Sequence, residues 1–529
     1  MPQIVVMRGG KEVRRAVAPE GACLCDALAQ DIALTCGGKG LCGKCRVRVF
    51  PAPPPGARDE QILPRDDLAA GWRLACLTAV QGDATVTLPE SVAQATVPVV
   101  TLPWMDAPAD APVCLALDVG TTTLGGMLHA GGLVYAAARP NPQRRCAADV
   151  MGRIALTMER DDGLALLRET LRPALAELCG ALLAASGVAA QDVTQAALAG
   201  NPAMTQIALG MPVAALGSAP YTPGYTGALC LRAADVGLAL PGATLYVPPC
   251  ASGFVGADAL AAALACALDM PGPWRLMVDI GTNTEMVLSD GRQAFCCAAA
   301  SGPALEGACI AQGMPALPGA IASVRIEEGE VRCQVIGGVE AVGLCGSGLV
   351  DAVARLAALG TIDSDGAFCD AQNAGGLAGR FGRRGEARAF ALTQRIWLTQ
   401  TDVRQLQLAK GAIAAGIALL LDAAGIDAAD VTRLCLCGAF GAGLDVASAQ
   451  AVGLLPALSV VDKREGAAAW GALAMAAGEE ARRRAQGFAA RLQALDLAAH
   501  PQFTDTFMAH MALRPWAANQ SMKEGWLCR

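Results

Sequence analysis

The chain has 529 residues, 53% of them hydrophobic, and a formal net charge of −7. That length accommodates two to four domains, and the apolar content excludes intrinsic disorder. The acidic balance, without clustered Lys and Arg, argues against nucleic acid as a partner. There are 21 cysteines but only three histidines, His129, His500 and His510, so any metal site must be built from thiolates or carboxylates. The opening MPQIVVMRGGKEVRRAV alternates like two short strands around Gly9-Gly10 and lacks the apolar run of a leader peptide. Phe254 to Leu268 is apolar but too short to span a bilayer, and Asp258 interrupts it. A soluble cytoplasmic protein with no membrane contact is expected, and its cysteines are reduced thiols or metal ligands rather than a disulfide framework.

Residues 1–90 read as a small mixed domain: two strands, a helix near Leu24 to Ile32, a Cys/Gly loop, the strand RVRVF and a late strand ATVTLP. Within it, TCGGKGLCGKC followed by RLACLTAV supplies Cys36, Cys42, Cys45 and Cys76 in the pattern C-x5-C-x2-C-x30-C. Four thiolates in this arrangement suit a 2Fe-2S cluster, one residue longer in the loop than the plant-type C-x4-C-x2-C…C spacing. Gly37, Gly38, Gly40 and Gly43 let the backbone wrap tightly and aim amides at sulfur. Zinc is the main alternative, but zinc usually takes cysteine pairs from two separate knuckles. Cys23 and Cys25 are read as packing residues. The stretch EGACLCDALAQDIALTCGGKGLCGKCRVRV resembles the β-grasp ferredoxin domain, which supplies the fold where the spacing supplies only the ligands.

Residues 91–113, SVAQATVPVVTLPWMDAPADAPV, are Pro- and Ala-rich and read as an extended linker. From residue 114 apolar strands alternate with alanine-rich helices, the pattern of α/β layers. CLALDVGTTTLGGMLHAGG from Cys114 and RLMVDIGTNTEMVLSDG from Arg275 form a weak internal repeat, which implies two related halves, 114–270 and 271–480, before a helical tail at 481–529. In each copy an aspartate, Asp118 or Asp279, ends a strand and can hold Mg²⁺ directly or through water. Gly120 and Gly281 allow tight turns, and Thr121, Thr122, Thr123, Thr282, Asn283 and Thr284 offer donors to phosphate oxygens. One such loop reads as an ordinary hairpin turn; two in matching contexts favour nucleotide binding.

No GxxxxGK[ST] loop occurs, so this is not a P-loop ATPase. The pattern instead resembles the two-lobed actin-like (ribonuclease H-like) superfamily of acetate and sugar kinases, chaperone ATPases and actin. On that resemblance, PPCASGFVGADALAAALA from Pro248 and REGAAAWGALAMAA from Arg464 look like two connecting helices. LCLCGAFGAGLD from Leu434 looks like an adenosine loop that makes room for purine and ribose. Small residues on crossing helices allow close packing and a hinge between lobes.

Together with the stretches NPQRRCAADVMGRI, ALAGNPAMTQIALG, SGPALEGACIAQGM, GLCGSGLVDAVARL and LTQTDVRQLQLAKGAI, the chain resembles the reductive activators of corrinoid proteins over essentially its whole length. The resemblance implies an ATP-hydrolysing activase. It returns one electron from the 2Fe-2S cluster to Co(II) of a corrinoid methyl carrier and restores Co(I). It implies a 2Fe-2S cluster, ATP and Mg²⁺ as cofactors, a corrinoid methyl-carrier protein and an external low-potential electron donor as partners, and a homodimer. It places Cys36, Cys42, Cys45 and Cys76 on the cluster, Asp118, Gly120, Thr121, Thr122, Asp279, Gly281, Thr282 and Asn283 on phosphate and Mg²⁺, and Gly438, Ala439, Phe440 and Gly441 on adenosine. Glu285 either orients water or is a solvated strand carboxylate. Asn201 either caps the helix after a strand or lines the nucleotide cleft, with capping the preferred reading, and Lys410, on an expected helix, either reaches the nucleotide or, the preferred reading, is a surface lysine. Cys146, where an aromatic residue is expected, and Cys528 receive no role. The alternatives are an activator of another low-potential enzyme such as a radical dehydratase, a non-catalytic ferredoxin carrier with an ATPase-like docking domain, and a sugar kinase, for which the cluster domain would have no purpose.

Overall fold

A computed structural model describes residues 1–28, 31–32, 40, 43, 45–89, 99–104, 108, 111–327 and 329–516. The N-terminal sheet contains β1 (Gln3–Arg8), β2 (Lys11–Val17), β3 (Arg46–Phe50), β4 (Trp72–Leu74) and β5 (Ala84–Thr87) in the order β2-β1-β5-β3-β4. Gly9 and Gly10 both adopt positive φ, which closes the tight β1–β2 hairpin. Alternate residues Ile4, Val6, Val47, Val49 and Val86 point to one face and bury there, the period-two pattern of a half-covered sheet. Leu24 and Leu28 seal that face. The helix expected over Leu24 to Ile32 is a single turn, Leu24–Ala27, and residues 29–30 lie outside the described residues.

Two larger sheets follow. The first joins β6 (Val100–Pro103), β7 (Cys114–Val119), β8 (Thr123–Ala130), β9 (Leu133–Pro140), β10 (Gln195–Ala199), β11 (Leu229–Arg232) and β12 (Thr244–Val247) in the order β11-β12-β10-β7-β8-β9-β6. The second joins β13 (Trp274–Ile280), β14 (Thr284–Ser289), β15 (Ala294–Ala299), β22 (Val431–Cys437), β23 (Val461–Arg464) and β24 (Leu492–Ala494) in the order β23-β22-β13-β14-β15-β24. Each holds an antiparallel three-strand meander flanked by two parallel strands, β10 and β12 or β22 and β23, so the weak sequence repeat is a repeat of topology. Two small sheets, β16 (Ala320–Glu327), β17 (Glu330–Val335) and β18 (Gly343–Leu344), and β19 (Phe381–Arg384), β20 (Ala387–Ala391) and β21 (Trp397–Thr399), extend the second lobe. Part of the expected linker, Val100–Pro103, is extended and hydrogen-bonds to β9 as the edge strand; residues 90–98, 105–107 and 109–110 lie outside the described residues.

Apart from Asp258 in its first turn, the helix Ala257–Ala265, like the helix Ala467–Ala477, is apolar throughout, and both share one core with residues from both sheets, among them Ala116, Ala197, Met277, Val287 and Cys435. Such helices are buried all round. Cys296 and Cys297 are consecutive on β15 and face opposite cores, as small apolar residues do. The helix Gln400–Ala424 is long and apolar enough to cross a membrane, but 78% of its most apolar window is buried within the protein. It starts at a Thr399–Asp402 capping box and stops at Gly425, whose φ is positive.

The two alanine-rich helices approach so closely that a Cβ on Gly471 would lie 1.8 Å from the backbone oxygen of Ala261. Helix propensity favours alanine over glycine by only about 1 kcal/mol, whereas a clash with backbone forces the helices apart. Gly471→Ala should therefore destabilise the protein by about 1–3 kcal/mol, measured by thermal or urea unfolding.

Candidate nucleotide cleft and cluster site

The twin loops occupy equivalent places, β7 turning into β8 and β13 into β14. Each needs glycine for close approach: a Cβ on Gly120 would sit 2.5 Å from the Thr123 oxygen, and Gly281 donates its amide to the Asn283 oxygen at 3.1 Å. Buried polar groups hold both loops. Asn141 donates to the Gly120 oxygen at 2.8 Å, and the fully buried Arg153 donates to the Thr121 oxygen at 2.7 Å. Burial pushes the Arg153 guanidinium down to about 10. In the second loop, the Ser301 hydroxyl donates to the Gly281 oxygen at 3.2 Å. Asn201 combines two functions. Its side-chain oxygen caps the helix Pro202–Leu209 by accepting from the Met204 amide at 2.9 Å, and its amide nitrogen donates to the Thr121 hydroxyl at 3.0 Å.

Four carboxylates converge between the loops. Burial raises Asp118 well above the usual carboxylate range, and the charges of Asp258 and Asp279 raise it further. Asp279 is pushed up to about 7 by burial and then by Asp258, and Asp258 itself to about 6 by burial. Glu285 stands directly across from Asp279 in the β13–β14 register and is raised well above its ordinary value by burial, Asp258 and Asp279. Gly125 takes the corresponding place across from Asp118. Such a crowd of like charges in a cleft favours protons or a cation. Among the described residues no three acidic, cysteine or histidine side chains are close enough to close a direct metal shell. Beside the cleft, Gly438 has positive φ and lies so near Asp279 that a Cβ would meet its Oδ1 at 2.5 Å. The segment read as an adenosine loop therefore abuts the second of the twin loops, and Gly438–Gly443 coils into a short helix rather than an open loop.

The sulfur atoms of Cys45 and Cys76 lie 3.2 Å apart. Hydrogen bonding to Cys45 draws the Cys76 thiol down to about 7 against the effect of burial, and the Gly40 amide assists. Gly40 and Gly43 have positive φ, and side chains there would strike Leu77 at 2.4 Å and Ile62 at 2.9 Å. Adjacent thiols, one of them drawn toward ionisation by its neighbour, in a wrap of positive-φ glycines, fit a cluster donor set. Cys36 and Cys42, with Gly37 and Gly38, lie outside the described residues.

Comparison with known proteins places these features in one frame. Residues 274–523 match the family model "C-terminal domain of RACo the ASKHA domain", residues 113–271 match "RACo middle region", and residues 7–81 match "2Fe-2S iron-sulfur cluster binding domain". The chain belongs to the RACo family. It is 34% identical over 416 residues to the corrinoid activation enzyme RamQ of Eubacterium limosum, covering 74% of this chain and 69% of that protein. It is 32% identical over 237 residues to the [Co(II) methylated amine-specific corrinoid protein] reductase of Methanosarcina barkeri, 40% of each chain. A solved structure titled reductive activator for corrinoid,iron-sulfur protein superposes with a TM-score of 0.69 at 24% identity, covering 97% of this chain and 99% of that one, which establishes the shared fold.

In this RACo chain several expectations change. Lys410 is not a surface lysine: it is 1% exposed and donates to the Ala512 oxygen at 2.5 Å. Burial and then Arg514 draw it down to about 8, and its neighbours are His510, Arg514 and Trp516 rather than the twin loops. Glu285 is half-buried on β14, and its carboxyl is raised by burial and by Asp258 and Asp279, so it faces the acidic cleft rather than open solvent. Cys146 approaches the Thr170 hydroxyl at 3.7 Å, and nothing in the structure gives it a further role. Cys528 lies outside the described residues. Asp258, Asn141, Arg153 and Glu306 were not singled out by the sequence reading. The one available signal was an acidic residue at the head of an otherwise apolar helix, Asp258 in VGADALAAALA.

The raised carboxylates have a measurable consequence. Asp279 keeps its proton to about 7 in the folded chain but loses it near 3.8 when unfolded. Between those values the folded state binds more protons, so the metal-free protein loses stability as pH rises through that window. Asp279→Asn should flatten this loss, and excess Mg²⁺ should shrink it in the wild type but much less in the variant. Unfolding curves across the window, with and without Mg²⁺, check both.

Proposed function

We propose that this RACo-family chain is an ATP-dependent reductive activator that passes one electron to Co(II) of a corrinoid methyl-carrier protein and restores Co(I). The observation that carries the reading is the union, in one chain, of a ferredoxin-type cysteine loop with an ASKHA nucleotide cleft, in a protein whose relative over 416 residues is named a corrinoid activation enzyme. Cys36, Cys42, Cys45 and Cys76 would hold the 2Fe-2S cluster. When bound, that cluster supplies a one-electron carrier in the region of about −400 mV. The chain contributes the adjacency of Cys45 and Cys76, the Gly40 amide and a wrap of positive-φ glycines. An external low-potential donor in the cytoplasm refills it.

In the cleft, Asp118 and Asp279 would hold Mg²⁺ through water, with Asp258 and Glu285 adding negative charge around it. Thr121, Thr122, Thr282 and Asn283 face the phosphates, and Gly120 and Gly281 keep both loops close to them. Gly438, Ala439, Phe440 and Gly441 take the adenosine. For a one-electron step, each 59 mV uphill costs about tenfold in equilibrium. ATP can offset that only if the nucleotide-bound and free forms treat the corrinoid partner differently. The two closely packed connecting helices are where lobe closure would be transmitted.

Anaerobic mixing with a Co(II) corrinoid protein, a low-potential reductant and a methyl donor should give methylated cobalt, followed by visible absorbance, only with Mg-ATP. Cys76→Ser should abolish it. Asp279→Asn should lower it about 10- to 100-fold, the scale on which lost metal-site partners act. A protein with bound ATP and an intact cluster spectrum that methylates no corrinoid partner would serve a different redox client.

A further inference from the structure

Glu306 belongs to the stretch SGPALEGACIAQGM and ends the turn Pro303–Glu306. Its Oε2 accepts from the Thr122 hydroxyl at 3.2 Å and from the Thr282 hydroxyl at 2.9 Å. These two threonines come from the two phosphate loops and lie on opposite lobes. The carboxylate therefore stands where the loops meet, at the place their hydroxyl donors point to. With the phosphates placed on these loops as proposed above, a group there faces the end of the triphosphate.

The remaining polar groups do not suit the handling of a proton there. Asp118, Asp258, Asp279 and Glu285 crowd one another and are disposed to hold a cation. His129 is 5% exposed and bonded to the Pro112 oxygen, and His510 packs at a tilt against Trp516. His500 receives the Gln502 amide on an exposed turn. Lys410 is tied to the Ala512 oxygen. Glu306 instead accepts hydrogen bonds from two neutral hydroxyls, one from each loop.

We propose that Glu306 is the catalytic residue that orients and deprotonates the water attacking ATP. On entry of the triphosphate, the Thr122 and Thr282 hydroxyls turn from Glu306 to the terminal phosphate oxygens. The freed carboxylate oxygen then accepts a hydrogen bond from a water on the side opposite ADP. The water oxygen forms its bond to the terminal phosphorus as the bond from that phosphorus to the bridging oxygen breaks. The water's proton passes to Glu306 and leaves with inorganic phosphate; no electron is transferred in this step. Within reach of the reacting proton, such a base contributes about 10²- to 10⁴-fold.

This inference rests on the ATP-hydrolysing activity proposed above. In the full-length, cluster-loaded protein, Glu306→Gln keeps an oxygen acceptor for both threonines but cannot take a proton. Its kcat for Mg-ATP hydrolysis should fall by about 10²- to 10⁴-fold, with the Kd of a non-hydrolysable ATP analogue within a few-fold of wild type. Glu306→Asp should retain an intermediate kcat at unchanged analogue affinity, which also covers a Gln variant that folds poorly. Retention of wild-type kcat in Glu306→Gln, or a loss expressed wholly in analogue affinity, would overturn the role of Glu306 and leave the activator reading standing. A wild-type protein that binds but never hydrolyses ATP, with or without a corrinoid partner, would overturn both.

Discussion

The crowding of like charge between the two lobes is the constraint on which the rest of this molecule depends. Asp118 and Asp258 come from the first lobe, and Asp279 and Glu285 from the second, and each is pushed toward its protonated form by burial. Desolvating several carboxylates in one cleft is unfavourable unless protons, a cation or donors compensate. The fold nevertheless holds them there. The helices Ala257–Ala265 and Ala467–Ala477 pack almost backbone to backbone, and Asn141, Arg153 and Ser301 pin the loop carbonyls. The backbone of both loops is thereby fixed, while the Thr122 and Thr282 hydroxyls rest on Glu306.

The features most legible in the sequence are those whose chemistry is local. The cysteine loop, the twin Asp-Gly-Thr turns and the two alanine-rich helices each declare themselves within a dozen residues, and the repeat of the turns extends to a repeat of sheet topology. What escaped the reading depends on approach in space. Asp258 looks like an interruption of an apolar run until its helix places it against Asp279. Glu306 is unremarkable in sequence until two threonines far away converge on it. Lys410 reads as solvent-facing because lysine is rarely buried, but the segment ending at Trp516 covers it. Asn201 is a cap by residue type, and only the fold shows that its second polar atom braces the first loop.

The division of labour follows from separate cores. The N-terminal sheet closes on its own cluster of Ile4, Val6, Leu24, Val47 and Val86, whereas the connecting helices merge residues of both larger sheets into one core. A displacement at the twin loops can thus spread through the two lobes as a mechanical unit, because packed interiors transmit it. The electron-carrying sheet need not share that deformation.

The edge strand β6 sets a geometric limit on such a partner. It fastens the chain to the first lobe through β9, so the covalent path from the N-terminal sheet is only residues 88–99, between β5 and β6. Whatever its shape, a segment of that length reaches at most about 45 Å. The electron donor domain is therefore confined to a bounded volume around one edge of the ATPase. Within it, the local concentration of donor at a docked protein is fixed by tether length rather than by the amount of protein in the cell.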